Sequence, residues 1–153
     1  MDYKKSLLAG LEAAHAARKS KDEIAKVIKT LSQAIEEVSN GEIYLEITKE
    51  KELSPKFSSM STALLNLIGE DPYIYYNALS LIKKPVDKTD TTTNLQKRSI
   101  ARWKMDKQDG YPCVISYDKQ DVSCSTKDTL EKALMELMST AQTGEKLLEL
   151  KNH

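Results

Sequence analysis

The chain has 153 residues, 40% of them apolar, and its 23 Lys plus Arg are matched by 23 Asp plus Glu. That length buries roughly two-thirds of the unfolded surface in one core, and zero net charge argues against non-specific DNA binding, which draws on excess positive charge. No apolar run approaches the roughly 20 residues that span a bilayer, the start Met1-Asp2-Tyr3-Lys4-Lys5 lacks the features of a secretory leader, and two cysteines point to a reduced, cytoplasmic protein with no membrane association.

Tyr3, Leu7, Leu8, Leu11, Ala14 and His15 recur at helical spacing and predict a helix over 2–19. Gly10 weakens such a helix by about 1 kcal/mol when exposed, and close approach by another helix would explain its presence. Ser20 and Glu23 have capping-box spacing. A second helix is therefore expected from Lys21, with the stripe Ile24, Ile28, Leu31, Ile35 and Val38 and a stop at Asn40-Gly41. Two amphipathic helices with almost no connector predict a helical hairpin over 1–40. The second stripe would also suit a homodimer seam.

Glu42 to Lys49 alternates, with Ile43, Leu45 and Ile47 on one side and Glu42, Tyr44, Glu46 and Thr48 on the other. This is the pattern of a half-buried strand. Ser54-Pro55 marks a loop, and a short helix over 59–68 should end at Gly69. Residues 71–82 carry two signals: Asp71-Pro72 suits a helix start, and the Tyr and Ile content suits a strand. A strand over 78–83 is the favoured reading. Residues 84–96, with Pro85 and Thr91-Thr92-Thr93-Asn94, have little to bury and read as a long mobile loop.

Strands follow over 98–106, 112–118 and 121–125, with Asp109-Gly110 as the turn between the first two. A helix from Ser125 or Thr126 carries Leu130, Leu134, Leu137 and Ala141. Gly144 bends it, and Leu147, Leu148 and Leu150 belong to a last short helix. The whole reads as one α+β domain over 1–153: a helical hairpin, a mainly antiparallel sheet of about four strands within 42–125, and C-terminal helices over 126–151.

The residues that carry chemistry are sparse. With a turn at Lys119-Gln120, Cys113, Ile115, Tyr117, Val122 and Cys124 share one apolar face. Cys124 then faces Ile115, and Cys113 is a diagonal neighbour about 7 Å away, too far for a disulfide. Both thiols are expected to act as small hydrophobes. His15, at the border of the first stripe, reads as a partly buried packing residue, and His153 ends the chain. The five glycines are too dispersed for a phosphate loop, and the Cys and His spacing is no zinc motif. No catalytic, cofactor or metal residue is assigned.

The most basic stretch, residues 83–107, holds eight Lys or Arg against three Asp. Within it, Ala101, Trp103 and Met105 fall on one side of an extended chain. Arg98, Ile100, Arg102 and Lys104 fall on the other. An inward Trp103 is no stacking platform for bases. Lys97, Arg98, Arg102, Lys104 and Lys107 are candidate contacts for an acidic protein or for phosphates. The row Glu42, Glu46 and Glu50 could instead lie beside them and pair.

Tyr73, Tyr75 and Tyr76 form a compact aromatic cluster of a kind enriched at interfaces. The expected function is that of a small non-enzymatic interaction protein covering a surface on a larger protein partner. An adaptor, or a phage- or bacterial-type inhibitor of a nucleic-acid-processing complex, would fit. The alternative is a nucleic-acid-binding module using the basic strand 97–107. Self-association into a homodimer through the amphipathic helices is a further expectation.

Overall fold

A computed structural model describes residues 1–85 and 96–152. The expected mobile loop 84–96, apart from its ends, lies outside the described residues, as does His153.

The first element corrects the expected hairpin. Tyr3–Val38 is a single 36-residue helix, α1. Ser20 and Glu23 have the spacing of a cap, but both are accommodated inside a helix. No Gly or Pro lies between Gly10 and Asn40 to break the ladder, and continuing a helix avoids nucleating a second one. Asp2 caps the start by accepting the Lys5 N–H at 3.1 Å. The stop falls where expected: Asn40 and Gly41 take positive φ of 56° and 81°, and the Gly41 N–H donates to the Glu36 carbonyl at 2.7 Å.

The buried residues of α1 (Ile24, Val27, Ile28 and Ile35) all lie in its second half. Its first half is an arm about 25 Å long at 1.5 Å per residue. On that arm Tyr3, Leu7, Leu8 and Leu11 stay exposed, Leu7 at 70%. Gly10 has no neighbour within 4 Å where a Cβ would sit. Gly10→Ala should therefore stabilise the arm by about 0.5–1 kcal/mol, read as stronger ellipticity at 222 nm and slower amide exchange over residues 3–19.

Five strands follow: β1 Ile43–Leu53, β2 Tyr73–Lys83, β3 Lys97–Asp106, β4 Gly110–Tyr117 and β5 Gln120–Cys124. They form one antiparallel meander in the order β1-β2-β3-β4-β5. The sheet thus has five strands rather than about four, and β2 begins at Tyr73 rather than at residue 78. Between β1 and β2 lie a 3₁₀ turn, Pro55–Phe57, and helix α2, Thr62–Ile68, closed by Gly69 at φ 71°. Helices α3 (Lys127–Met138) and α4 (Ala141–Lys151) end the fold, each opened by a threonine cap, Thr126 and Thr140.

The core lies between the sheet and α1, α3 and α4. Ile43, Leu45, Leu79, Leu81, Ala101, Trp103, Cys113, Ile115 and Cys124 of the sheet meet Ile24, Val27, Ile28, Ile35, Leu130, Ala133, Leu134, Leu137 and Leu150 of the helices. Alternation in each strand sends every second side chain into this layer. Ser32 of α1 and Ser39, the residue that caps its C-terminus, tie the helix to the outer edge of β1. Ser39 Oγ accepts the Ile43 N–H at 2.9 Å, and Ser32 Oγ accepts the Leu45 N–H at 3.0 Å.

Two registers differ from expectation. The β4–β5 turn sits at Asp118-Lys119, both with positive φ, as a two-residue primed turn requires. Cys113 therefore faces Cys124 directly, and Ile115 faces Val122. Both thiols are free and fully buried. In β3 the pairing jumps from Leu79–Ala101 to Ser80–Ser99. Ile100 is the extra residue of a bulge, so both Ile100 and Ala101 are buried.

Candidate functional site

Trp103 is 5% exposed and turns into the core, so Arg102 and Lys104 project from the face opposite α1, α3 and α4. The bulge at Ile100 removes Arg98 from that face. Arg98 lies opposite Leu81 on the helix side and donates through Nε to Glu149 of α4 at 3.1 Å. Lys97 lands on the outer face. Lys107 falls beyond the end of β3, in the turn to β4. The expected basic row therefore resolves into Lys97, Arg102 and Lys104, with Arg98 and Lys107 elsewhere.

Two of that row's three members, Lys97 and Arg102, are paired with carboxylates. Lys97 Nζ contacts Glu50 Oε1 at 2.7 Å, and Arg102 Nη2 contacts Glu52 Oε2 at 2.6 Å. Both bridges join β1 to β3 and pass over β2. The Lys97–Glu50 bridge spans the stretch of β2 where Ala78 and Ser80, both small and fully buried, present their side chains, and the Arg102–Glu52 bridge passes over Tyr76. Ser80 Oγ meets Thr48 Oγ1 at 2.7 Å, and the Thr48 hydroxyl donates to Glu50 at 2.8 Å. The Arg102 guanidinium also lies 4.1 Å from the Tyr76 ring centre. The sequence offered Glu42, Glu46 and Glu50 as partners; the structure uses Glu50 and Glu52.

The hydrogen bond from Lys97 is the main reason the Glu50 carboxyl is held below its ordinary range. A depressed carboxylate stabilises the fold above its unfolded pKa, and that contribution disappears as pH falls through the lower folded value. Exposed pairs contribute about 0–1 kcal/mol. Glu50→Gln should therefore lower stability by less than about 1 kcal/mol at pH 7 and flatten the acid limb of the stability curve below pH 4.5, as read by urea unfolding across pH.

The tyrosines do not form one cluster. Strand alternation puts Tyr73 and Tyr75 on one face and Tyr76 on the other, under Arg102. Lys51 Nζ sits 4.3 Å from the Tyr73 ring centre. Asp71 accepts the Tyr73 N–H at 3.1 Å. It also binds the Tyr75 hydroxyl, which raises the phenol and lowers the Asp71 carboxyl. Tyr75 is 62% exposed, and Ile74 is exposed beside it.

β1 pairs with β2 along its whole length, whereas β3 pairs only with Asn77–Ile82. Past Trp103, which faces Asn77, β3 has no partner in β2 among the described residues and pairs only with β4 on its other edge, Lys104 facing Val114 and Met105 facing Cys113. Tyr73–Tyr76 is thus a strand edge with no strand beside it among the described residues. The Lys84 N–H donates to Glu42 and the Ser54 N–H to Pro72. Antiparallel alternation then sends the peptide groups of Tyr73 and Tyr75 toward the side that β3 vacates. Reading 71–82 from Asp71-Pro72 as a strand start would have found this edge. The connector at the same end exposes Met60, Leu64 and Leu67, the last at 81%.

His15 is exposed on the arm of α1 rather than partly buried, because the helix continues past it without a partner element. Among the described residues, no group of three or more His, Cys, Asp or Glu is placed to hold a metal ion, and no helix is long and apolar enough to cross a membrane. By architecture this is an α+β protein, a five-stranded antiparallel meander with α1, α3 and α4 packed on one face. Compared with protein families, curated proteins and solved structures, the chain has no significant match.

Proposed function

We propose that this is a non-enzymatic cytoplasmic binding protein that docks a larger protein partner by accepting an extended, apolar segment of it along the free edge of β2. The observation that carries this reading is the aromatic edge Tyr73–Tyr76, which β3 abandons. Unpaired edges recruit strands, and natural sheets guard them with charge, brevity or cover. The β1 edge is guarded by Ser32, Ser39 and a run of Lys and Glu, and β5 is short. The β2 edge is capped by Asp71 only at the Tyr73 N–H; beyond it lie the Tyr75 peptide group and the side chains of tyrosine and isoleucine, residues suited to strand addition with side-chain pockets. An adaptor or an inhibitor would act in this way.

Nucleic acid is the less favoured partner. Lys97, Arg98 and Arg102 each have a carboxylate against them, so a phosphate there would meet Glu50, Glu149 or Glu52 as well.

The test is a pull-down from native extract at low salt with three variants. Tyr75→Ala removes the ring. Tyr75→Pro also removes a peptide N–H that points away from β1. Arg102→Glu/Lys104→Glu reverses the outer face. A protein retained by the wild type should be lost at least tenfold with both Tyr75 variants and kept with the charge variant. No retained protein, or loss only with the charge variant, would refute the reading.

A further inference from the structure

Independently of the β2 edge, a groove of about 1320 Å³ runs along α1 from His15 to Val38, with α3 and α4 as its other wall. Val27, Leu31, Ile35, Leu134, Met138 and Leu147 line it. At 1.5 Å per residue it follows about 35 Å of α1, and the exposed arm from Tyr3 to His15 is about 20 Å long. Groove and arm belong to one uninterrupted helix. The arm therefore cannot fold back beside the wall that its own continuation forms, and only another molecule can bring this arm to this groove.

We propose that two copies of the chain exchange arms, the Tyr3–His15 segment of each lying antiparallel in the groove of the other about a two-fold axis near Lys19. The sequence specifies the register. Tyr3, Leu7 and Leu11 are spaced four and four, and so, in reverse, are Ile35, Leu31 and Val27. Setting Leu11 against Val27 of the second copy brings Leu7 to Leu31 and Tyr3 to Ile35. Leu8 then meets Thr30, which also lines the groove. The same register places Glu12 against Lys26 and His15 against Glu23, opposite in charge or hydrogen-bonding role in both cases. Glu12 and Lys26 are exposed in the single chain.

A two-fold axis makes every contact occur twice. Two arms, each with four large apolar side chains exposed by half or more, and two groove walls lose solvent together. Stable interfaces bury about 1,200–2,000 Å² in all, which these doubled contacts have to supply. Arm exchange would also support a first half of α1 that contains Gly10 and has no buried residue.

Sedimentation equilibrium of the full chain tests this. The wild type should sediment as a reversible dimer of twice 17.2 kDa. Leu7→Asp/Leu11→Asp, at exposed positions, should give a folded monomer. Glu12→Lys and Lys26→Glu should each weaken the dimer about threefold or more, and the double swap Glu12→Lys/Lys26→Glu should restore it. That rescue is read on surface positions and does not depend on the leucine variant folding. A wild type that remains at 17.2 kDa up to millimolar concentration, a dimer indifferent to the leucine variant, or a double swap that fails to rescue would overturn the proposal.

Discussion

Trp103→Ala is expected to lower the unfolding free energy by about 3–5 kcal/mol, while Arg102→Ala, one residue away, lowers it by about 1 kcal/mol or less. The difference follows from the pleat. Trp103 faces the helices, opposite Ile115 and within the cluster of buried Leu, Ile and Cys side chains. Removing the indole leaves a cavity that α1, α3 and α4 cannot collapse into without moving whole elements. Arg102 faces outward, its side chain half-exposed; its bond to Glu52 and its stacking on Tyr76 lie where solvent screens charge. Urea unfolding followed by circular dichroism measures both, since Trp103 is the only tryptophan and fluorescence would be lost with it. Equal losses for the two variants would contradict this placement.

The second large effect is alkaline. Burial, with a smaller contribution from Cys124, pushes the Cys113 thiol up to about 12, and burial also raises Cys124. Burial, and then the bond its hydroxyl donates to Glu23 at 2.7 Å, raises Tyr111 as well. All three are acids whose neutral forms the fold prefers. Above their unfolded pKa values the unfolded chain binds fewer protons than the folded one, so stability falls as pH rises.

For Cys113 the loss begins near pH 9 and is complete near 12, and the three groups together should remove on the order of a few kcal/mol. Urea unfolding from pH 7 to 11 reads this as a flat curve that bends downward above pH 9. Tyr111→Phe and Cys113→Ala should each reduce the bend. The same burial should leave both thiols unreactive toward a thiol reagent at pH 7 until denaturant is added. Rapid labelling of the native protein would contradict it.

What the sequence made legible was local. The inward face of Ala101, Trp103 and Met105, the burial of both cysteines, the stop at Asn40-Gly41 and the Leu130, Leu134 and Leu137 stripe each rest on a period or on turn chemistry confined to one element. What it hid depended on neighbours. Ser20 and Glu23 satisfy a cap pattern equally well inside a continuous helix. The bulge at Ile100, which sends Arg98 to the opposite face from Arg102, follows from pairing with β2 and not from the β3 sequence. The Lys97–Glu50 and Arg102–Glu52 bridges needed the strand order, since they join strands that do not touch and cross β2 at Ala78 and Ser80 in one case and over Tyr76 in the other. The Cys113–Cys124 register turned on a one-residue shift of the turn from Lys119-Gln120 to Asp118-Lys119. The free edge at Tyr73–Tyr76 was concealed by Asp71-Pro72, a pair that begins helices as readily as strands.

Site-specific photo-crosslinking in living cells tests the central proposal most directly, with a benzophenone amino acid placed in turn at Tyr75 and at Ser116, an outward position on β4. The account predicts a discrete adduct with one larger protein from position 75 and none from position 116. Adducts from position 116 alone, or no protein adduct from position 75, would contradict it.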